Sequence, residues 1–377
     1  MKIQIDGVGT HNKGAELMLR AILQHFEPHN ATISVGKGNI KPQEYAALNL
    51  VKNPQPPVKD QLLYLLLGYA SPAVKKCKVG LLIDSSGFKY GDFWDNSRSW
   101  GANFKESVYL RFFKKLGTRI IFLPQAFGPF STPKSKYRIR NIVRNADLVF
   151  YRDMSSKEFL EAAIKPGSLR EKMQFAPDFT ASFSQGKERK ETSNSFKRVG
   201  IIPNCKMLES DTFKSMEVYI DFLNKLVAHY QQQGLHVSLI NHTGSEDQEV
   251  IKQLYQSLPN TSNVSLVSND NALALKDDVG ACDFIVASRF HGVINALSQA
   301  IPTICLGWSH KYQRIMEDYN VFDYYVQLDT NEKMLENIKR LSTEAELKSA
   351  KGRIESRRSH WFTQIANMWS TVDKSLN

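Results

Sequence analysis

The sequence predicts an α/β protein made of two doubly wound, Rossmann-like halves with a cleft between them. Short apolar runs alternate with helical patterns along both halves, the signature of parallel sheets covered by helices. A charged stretch from 185 to 198, whose one apolar residue is Phe196, separates the halves as a linker. A length of 377 residues suits two domains with sizeable cores.

Lys2–Asp6 alternates as a first strand, and Leu19, Ile22, Leu23 and Phe26 give residues 15–26 helical spacing. Leu81-Leu82-Ile83 is a strand ahead of the turn Asp84-Ser85-Ser86-Gly87. Ile120–Leu123 is another, ahead of Gln125-Ala126-Phe127-Gly128-Pro129. Leu148–Tyr151 leads into a helix through Glu158–Ala163, and Ser155 with Glu158 has capping-box spacing. Past the linker come strand Val199–Ile202, helix Tyr219–Tyr230, strand His236–Ile240, helix Asp247–Leu258 and strand Val264–Leu266. Phe284–Ala287 reads as a buried strand, with a helical pattern starting after Gly292. Ile301–Leu306 is a further buried strand, and Gly307–Lys311 its exit loop. A last helical stretch from Glu344 to Val372 is expected to pack back across the first half. The domains expected are therefore 1–184, linker 185–198, 199–343, and a helical segment 344–377.

A formal charge of +11 and a pI near 9.3 favour an anionic partner. Blocks of five consecutive Lys/Arg and RNP-like or zinc-finger patterns are absent from the sequence, so no nucleic acid is expected. Cys77, Cys205, Cys282 and Cys305 are widely spaced without a CxxC pair, which points to free thiols, and no metal is expected. The longest apolar run, Leu62 to Ala70, is too short to span a bilayer. A cytoplasmic protein is the expectation.

Chemistry-bearing residues collect where strands end. Arg289 and His291 sit where a buried strand hands over to a helix. Open α/β sheets bind ligands at that edge, and a helix N-terminus welcomes an anion. The imidazole can move a proton near neutral pH. His310 and Lys311 follow the next strand end. Gly7-Val8-Gly9-Thr10-His11-Asn12-Lys13-Gly14 departs from GxGxxG spacing, which argues against a nicotinamide cofactor, while Asn12, Lys13 and Glu16 offer polar groups at the first strand's exit. Gln125 stands at another strand end. Arg152 either pairs locally with Asp153 or clamps an oxyanion, and Asp178 either caps a turn or serves as a base.

In order, these stations resemble the polysaccharide pyruvyl transferase family. The resemblance rests on Asn12-Lys13-Gly14-Ala15-Glu16, Gln125–Pro129, Arg152–Ser155, Pro177-Asp178, the Cys282–His291 strand ending in Arg-x-His, and Ile301-Pro302 with downstream Lys311. Two positions depart from the family pattern: Ala15 replaces an acidic residue, and the turn Asp84–Gly87 replaces a glycine-rich one. The resemblance implies a GT-B-like pair of Rossmann domains and transfer of pyruvate from phosphoenolpyruvate onto a hexose, forming a cyclic ketal. It implies Arg289, Arg152, Lys311 and His310 as donor-binding residues, His291 as the acid with Arg289 beside it, and no cofactor beyond the donor. Asn12, Lys13, Glu16, Gln125 and Asp178 fall to the acceptor side, a sugar or lipid-linked oligosaccharide. A peripheral position at the inner face of a membrane is expected by analogy. The alternatives are a nucleotide-sugar-dependent glycosyltransferase and a non-catalytic anion- or glycan-binding relative.

Overall fold

The computed structural model describes residues 1–183, 196–242, 244–269, 271–307 and 310–376; the side chain of His310 and linker residues 185–195 lie outside them. The chain divides into two units, Met1–Thr180 with Gln364–Asn377, and Ala181–Thr363.

The first unit runs β1 (Lys2–Asp6), α1 (Lys13–Phe26), β2 (Thr32–Val35), β3 (Val51–Lys52), α2 (Val58–Leu67), β4 (Leu81–Asp84), β5 (Phe88–Tyr90), α3 (Asp92–Asp95), α4 (Trp100–Lys115), β6 (Arg119–Phe127), α5 (Pro133–Asn145), β7 (Leu148–Tyr151), α6 (Met154–Ala163) and β8 (Met173–Phe175). Its parallel sheet has the order β8-β7-β6-β4-β1-β2-β3, with β5 along the end of β6. Helices cover both faces, so β1 and β4 are buried almost throughout. Even Gln4 is buried, and it is satisfied: its amide donates to Asp6 Oδ1 at 2.9 Å and to the Tyr109 hydroxyl at 2.5 Å.

The second unit runs β9 (Arg198–Ile202), α7 (Met216–Gln232), β10 (His236–Asn241), α8 (Ser245–Ser257), β11 (Val264–Ser268), α9 (Ala272–Gly280), β12 (Phe284–Ala287), α10 (Phe290–Leu297), β13 (Thr303–Gly307), α11 (His310–Asp318), β14 (Tyr325–Gln327), α12 (Asn331–Leu341) and α13 (Glu344–Lys374). Its strands, again parallel, lie in the order β11-β10-β9-β12-β13-β14. In both sheets the winding reverses beside the first strand, between β1 and β4 and between β9 and β12. Such switch points open a crevice at the carboxyl ends of the strands.

Three local expectations need correction. Helix α10 begins at Phe290 rather than after Gly292, because Arg289 is extended and the Arg289 carbonyl accepts the first helical bond from Val293 N–H. The exit loop expected to reach Lys311 gives way to helix α11 at His310. The cap of α6 is Asp153, whose carboxylate accepts from Ser156 N–H at 2.7 Å, so the Ser155–Glu158 capping box does not form. The Ser156 hydroxyl instead accepts from Phe127 N–H at 2.8 Å, joining α6 to β6.

Helix α13 spans 31 residues, and its end, from Gln364 onward, belongs to the first unit. There the His25 ring stacks on Trp369 with centroids 4.0 Å apart, and its Nε2 meets Asp373 Oδ1 at 3.0 Å. Burial lowers the His25 pKa, and the pull of Asp373 only partly offsets this. The folded chain therefore binds protons at this site less readily than the unfolded chain, whose histidines titrate near 6.5. The His25 contribution is present above that pH and fades as pH falls below it. A melting series from pH 7.5 to 5 should show a shallower decline in His25→Gln than in the parent; identical slopes would contradict the assignment.

Candidate functional site

In the second unit, two adjacent strand ends converge. The exit of β12 carries Ser288, Arg289 and the first turn of α10, with His291 half-buried there. The exit of β13 carries Lys311 and Tyr312 in the first turn of α11. The Tyr312 hydroxyl donates to the Ser288 carbonyl at 3.0 Å, tying the two exits together. Lys311 Nζ stands 5.3 Å from the centre of the Phe290 ring, within cation–π range. Arg289, His291 and Lys311 are thus grouped at one edge of the sheet. Gly307 is required for this approach: a Cβ there would fall 2.7 Å from Tyr312 Cβ.

Arg289 is held by an acid that sequence reasoning left inside a helix. Its Nε donates to Asp247 Oδ2 at 2.6 Å and its Nη2 to Asp247 Oδ1, while Asp247 is fully buried. Asp247 Oδ1 also accepts from Cys205 N–H at 2.9 Å. Burial disfavours the guanidinium charge, but Asp247 outweighs it and keeps the Arg289 pKa above its ordinary value. The planar fork is therefore fixed in direction, and Nη1 makes no hydrogen bond among the described residues. Burial, with Asp247 and Glu246 nearby, pushes the Cys205 thiol up to about 12, so it stays a neutral neighbour. Asn204, at the exit of β9, donates to the Ser288 carbonyl at 2.8 Å and completes the switch-point frame. Helix α10 has no side-chain cap at Arg289, which leaves its positive end to other partners.

In the first unit, the remaining stations have identifiable local roles. Asn12 caps α1 by accepting from Gly14 and Ala15 N–H, and the buried Glu16 pairs with Arg20 at 2.8 Å and Lys13 at 3.6 Å. Arg152 pairs with Asp178 at 3.3 Å rather than with Asp153, which is occupied as a cap. Asp178 also caps the turn at Thr180, at 2.6 Å from its hydroxyl. Arg152 belongs to the first unit, whereas Arg289, His291, His310 and Lys311 belong to the second.

What sequence reasoning missed lies at the other switch point. Asp6 ends β1 and Asp84 ends β4, side by side in register. Tyr109 donates to Asp6 Oδ2 at 2.5 Å, Tyr90 donates to Asp84 Oδ2 at 2.9 Å, and Lys37 Nζ lies 3.2 Å from the centre of the Tyr109 ring. Burial raises the Asp6 pKa against the opposing pull of Lys37 and Tyr109. The hydroxyls of Ser85 and Ser86 and the Oε1 of Gln125 are buried there without a hydrogen-bond partner. Such atoms cost roughly 1–3 kcal/mol each unless a water or ligand pairs with them. Gly7 lets β1 leave past this cluster: its φ is +80°, and a Cβ would fall 2.0 Å from Ser86 Oγ. The adjacency of two acids on neighbouring strands is a product of topology, and only the turn Asp84–Gly87 marked the place in sequence.

Among the described residues, His25, His29 and Asp373 have donor atoms within 4.8 Å of one another, a spacing compatible with a metal ion. The sequence separation of 348 between His25 and Asp373 hid that grouping. No helix among the described residues is long and apolar enough to cross a membrane.

Similar folds recur among solved structures. UDP-GlcNAc 2-epimerase from Neisseria meningitidis, bound to UDP-GlcNAc, matches with a TM-score of 0.60 at 12% identity, covering 99% of this chain and 100% of that one. HepE from Anabaena, with UDP and glucose, matches at 0.56 and 13% identity, covering 99% of each chain. MurG from Acinetobacter baumannii matches at 0.53 and 11% identity, again covering 99% of each. These likenesses establish the fold, a GT-B-type pair of Rossmann-like domains. No curated protein matches the chain. The model of the family described as polysaccharide pyruvyl transferase matches residues 12–310, a span containing the Arg289–His291 strand exit, and the chain belongs to that enzyme family.

Proposed function

We propose that the protein transfers the pyruvyl group of phosphoenolpyruvate to two hydroxyls of one hexose in a polysaccharide or its lipid-linked precursor. The observation that carries the reading is the grouping of Arg289, His291 and Lys311 at adjacent parallel strand ends beside the uncapped start of α10. A donor with a carboxylate and a phosphate needs fixed cations, and an Arg fork oriented by Asp247 supplies one without reorganising. His291 protonates the vinyl CH₂, C2 becomes oxocarbenium-like, and a sugar hydroxyl adds there. Phosphate leaves with the C–O bond electrons, and the second hydroxyl closes the ketal. Each hydroxyl gives up its proton: one restores His291 and the other leaves with the phosphate.

Arg152 and His310 remain donor-side candidates in this reading, and Asn12, Lys13, Glu16, Gln125 and Asp178 acceptor-side ones. The unpaired hydroxyls of Ser85 and Ser86, the side-chain Oε1 of Gln125 and the neighbouring Asp84 suit a polyhydroxylated acceptor, since sugars satisfy both donors and acceptors.

A thermal-shift comparison tests the donor. Phosphoenolpyruvate at saturating concentration should raise the melting temperature, whereas UDP- and GDP-sugars should not. Stabilisation by a nucleotide-sugar alone would transfer the protein to the glycosyltransferase reading. Phosphate release dependent on added hexose acceptors would separate catalysis from the binding-only alternative.

A further inference from the structure

The segment from Phe88 to Asn145 carries twelve Lys and Arg against three Asp and Glu, a surplus of nine out of the chain's formal +11. Its three acids are turned inward. Asp92 accepts from the Ser131 hydroxyl at 2.6 Å and its N–H at 2.7 Å, and from the Ser135 hydroxyl at 2.6 Å, at the start of α5. Asp95 and Glu106 are both taken up by Arg138, which is itself buried. Lys136, Arg140 and Arg144 of α5 border an open groove of about 510 Å³ together with Ser131, Pro133 and Tyr137.

The same surface displays large aromatic side chains. Phe93 is 72% exposed and Trp100 57%, and Phe88, Trp94, Phe104 and Tyr137 are also exposed. Five of them fall into two groups rather than being scattered singly. Trp94 lies 4.9 Å from Phe93 and 6.3 Å from Phe88, and Trp100 lies 5.6 Å from Tyr137, all between ring centroids. Lys134 Nζ clips the two groups to one helix by donating to the carbonyls of Asn96 and Arg98 at 3.1 and 2.7 Å. Two tryptophans and four other rings out in water are costly unless something covers them.

We propose that this face of the first unit docks on an anionic lipid bilayer, with Phe93, Trp94, Trp100 and Phe104 entering the headgroup–acyl boundary and Lys136, Arg140 and Arg144 meeting lipid phosphates. Amphipathic rings favour that boundary, and clustered Lys and Arg are drawn to a negatively charged leaflet. Charge complementarity selects this occupant over a second copy of the chain, whose matching face would carry the same surplus of nine positive charges. The proposal stands whether or not the pyruvyl reading does, since neither donor nor acceptor takes part in it.

The test is co-sedimentation of the full chain with phosphatidylcholine vesicles, with and without phosphatidylglycerol, at low and physiological salt. The chain should pellet with the anionic vesicles and stay in solution with neutral ones. Trp94→Ser/Trp100→Ser should weaken binding at least about tenfold, and so should Lys136→Glu/Arg140→Glu/Arg144→Glu. A charge-matched control, Lys225→Glu/Lys333→Glu/Lys348→Glu in the second unit, should bind like the parent, and all variants should melt with it. Equal losses in the control and in the α5 variant would reveal adsorption by overall charge and overturn the assignment. So would failure to pellet with anionic vesicles, or a dimer in light scattering that Trp94→Ser/Trp100→Ser converts to monomer.

Discussion

Replacing His291 with alanine is expected to lower turnover by about 10²–10⁴-fold, the share that a positioned proton donor commonly contributes. The ring sits half-buried in the first turn of α10, so its loss opens no core cavity. Melting temperature and calorimetric affinity for phosphoenolpyruvate should therefore stay close to the parent values, and the deficit should fall on turnover. Phosphate release measured at saturating donor and acceptor reads this directly. Parent-like turnover in His291→Ala would remove the acid from the mechanism, and a collapse of donor affinity would recast His291 as a binding residue.

Removing Asp247 should do more harm to the fold than removing any residue that faces the donor. Asp247→Ala strands the Arg289 guanidinium and the Cys205 N–H together. Breaking one side of a buried ion pair costs about 3–5 kcal/mol. The Arg289 side chain keeps 18% exposure, which places this case toward the lower end. A loss of about 3 kcal/mol corresponds to a fall of roughly 6–12 °C in the melting temperature of a domain this size. Donor affinity should drop as well, because an unanchored fork no longer points its Nη1 in a fixed direction. Calorimetry and thermal melts on the same sample separate the two effects. An Asp247→Ala protein that melts with the parent and binds phosphoenolpyruvate normally would contradict both.

The central strands were legible because they are buried on both faces, whereas the short, part-exposed strands Val51–Lys52, Phe88–Tyr90, Met173–Phe175 and Tyr325–Gln327 carry no buried run. Phe284–Ala287 and Leu148–Tyr151 are unbroken apolar or aromatic runs, and such runs announce themselves without an alignment. Arg289, His291 and Lys311 were legible because each follows such a run closely. Their partners were not. Asp247 lies 42 residues from Arg289, inside what reads as an ordinary amphipathic helix, and only β9–β12 pairing brings α8 to that strand end. Asp6 and Asp84 are likewise neighbours only through the β1–β4 register. The Ser155–Glu158 pattern failed for the opposite reason: two nearby candidates, Asp153 and Ser155, competed for one helix start. The carboxylate two residues earlier won, since a charged acceptor also gains from the helix dipole.

The last turns of α13 are counted with the first unit, where Trp369 covers His25 and Phe179 and where Val372 is fully buried. An amino-terminal fragment cut near Thr180 would thus lack a piece of its own hydrophobic interior. During synthesis, that half gains the buried contacts of Val372 and Trp369 only after residues 181–363 have been translated.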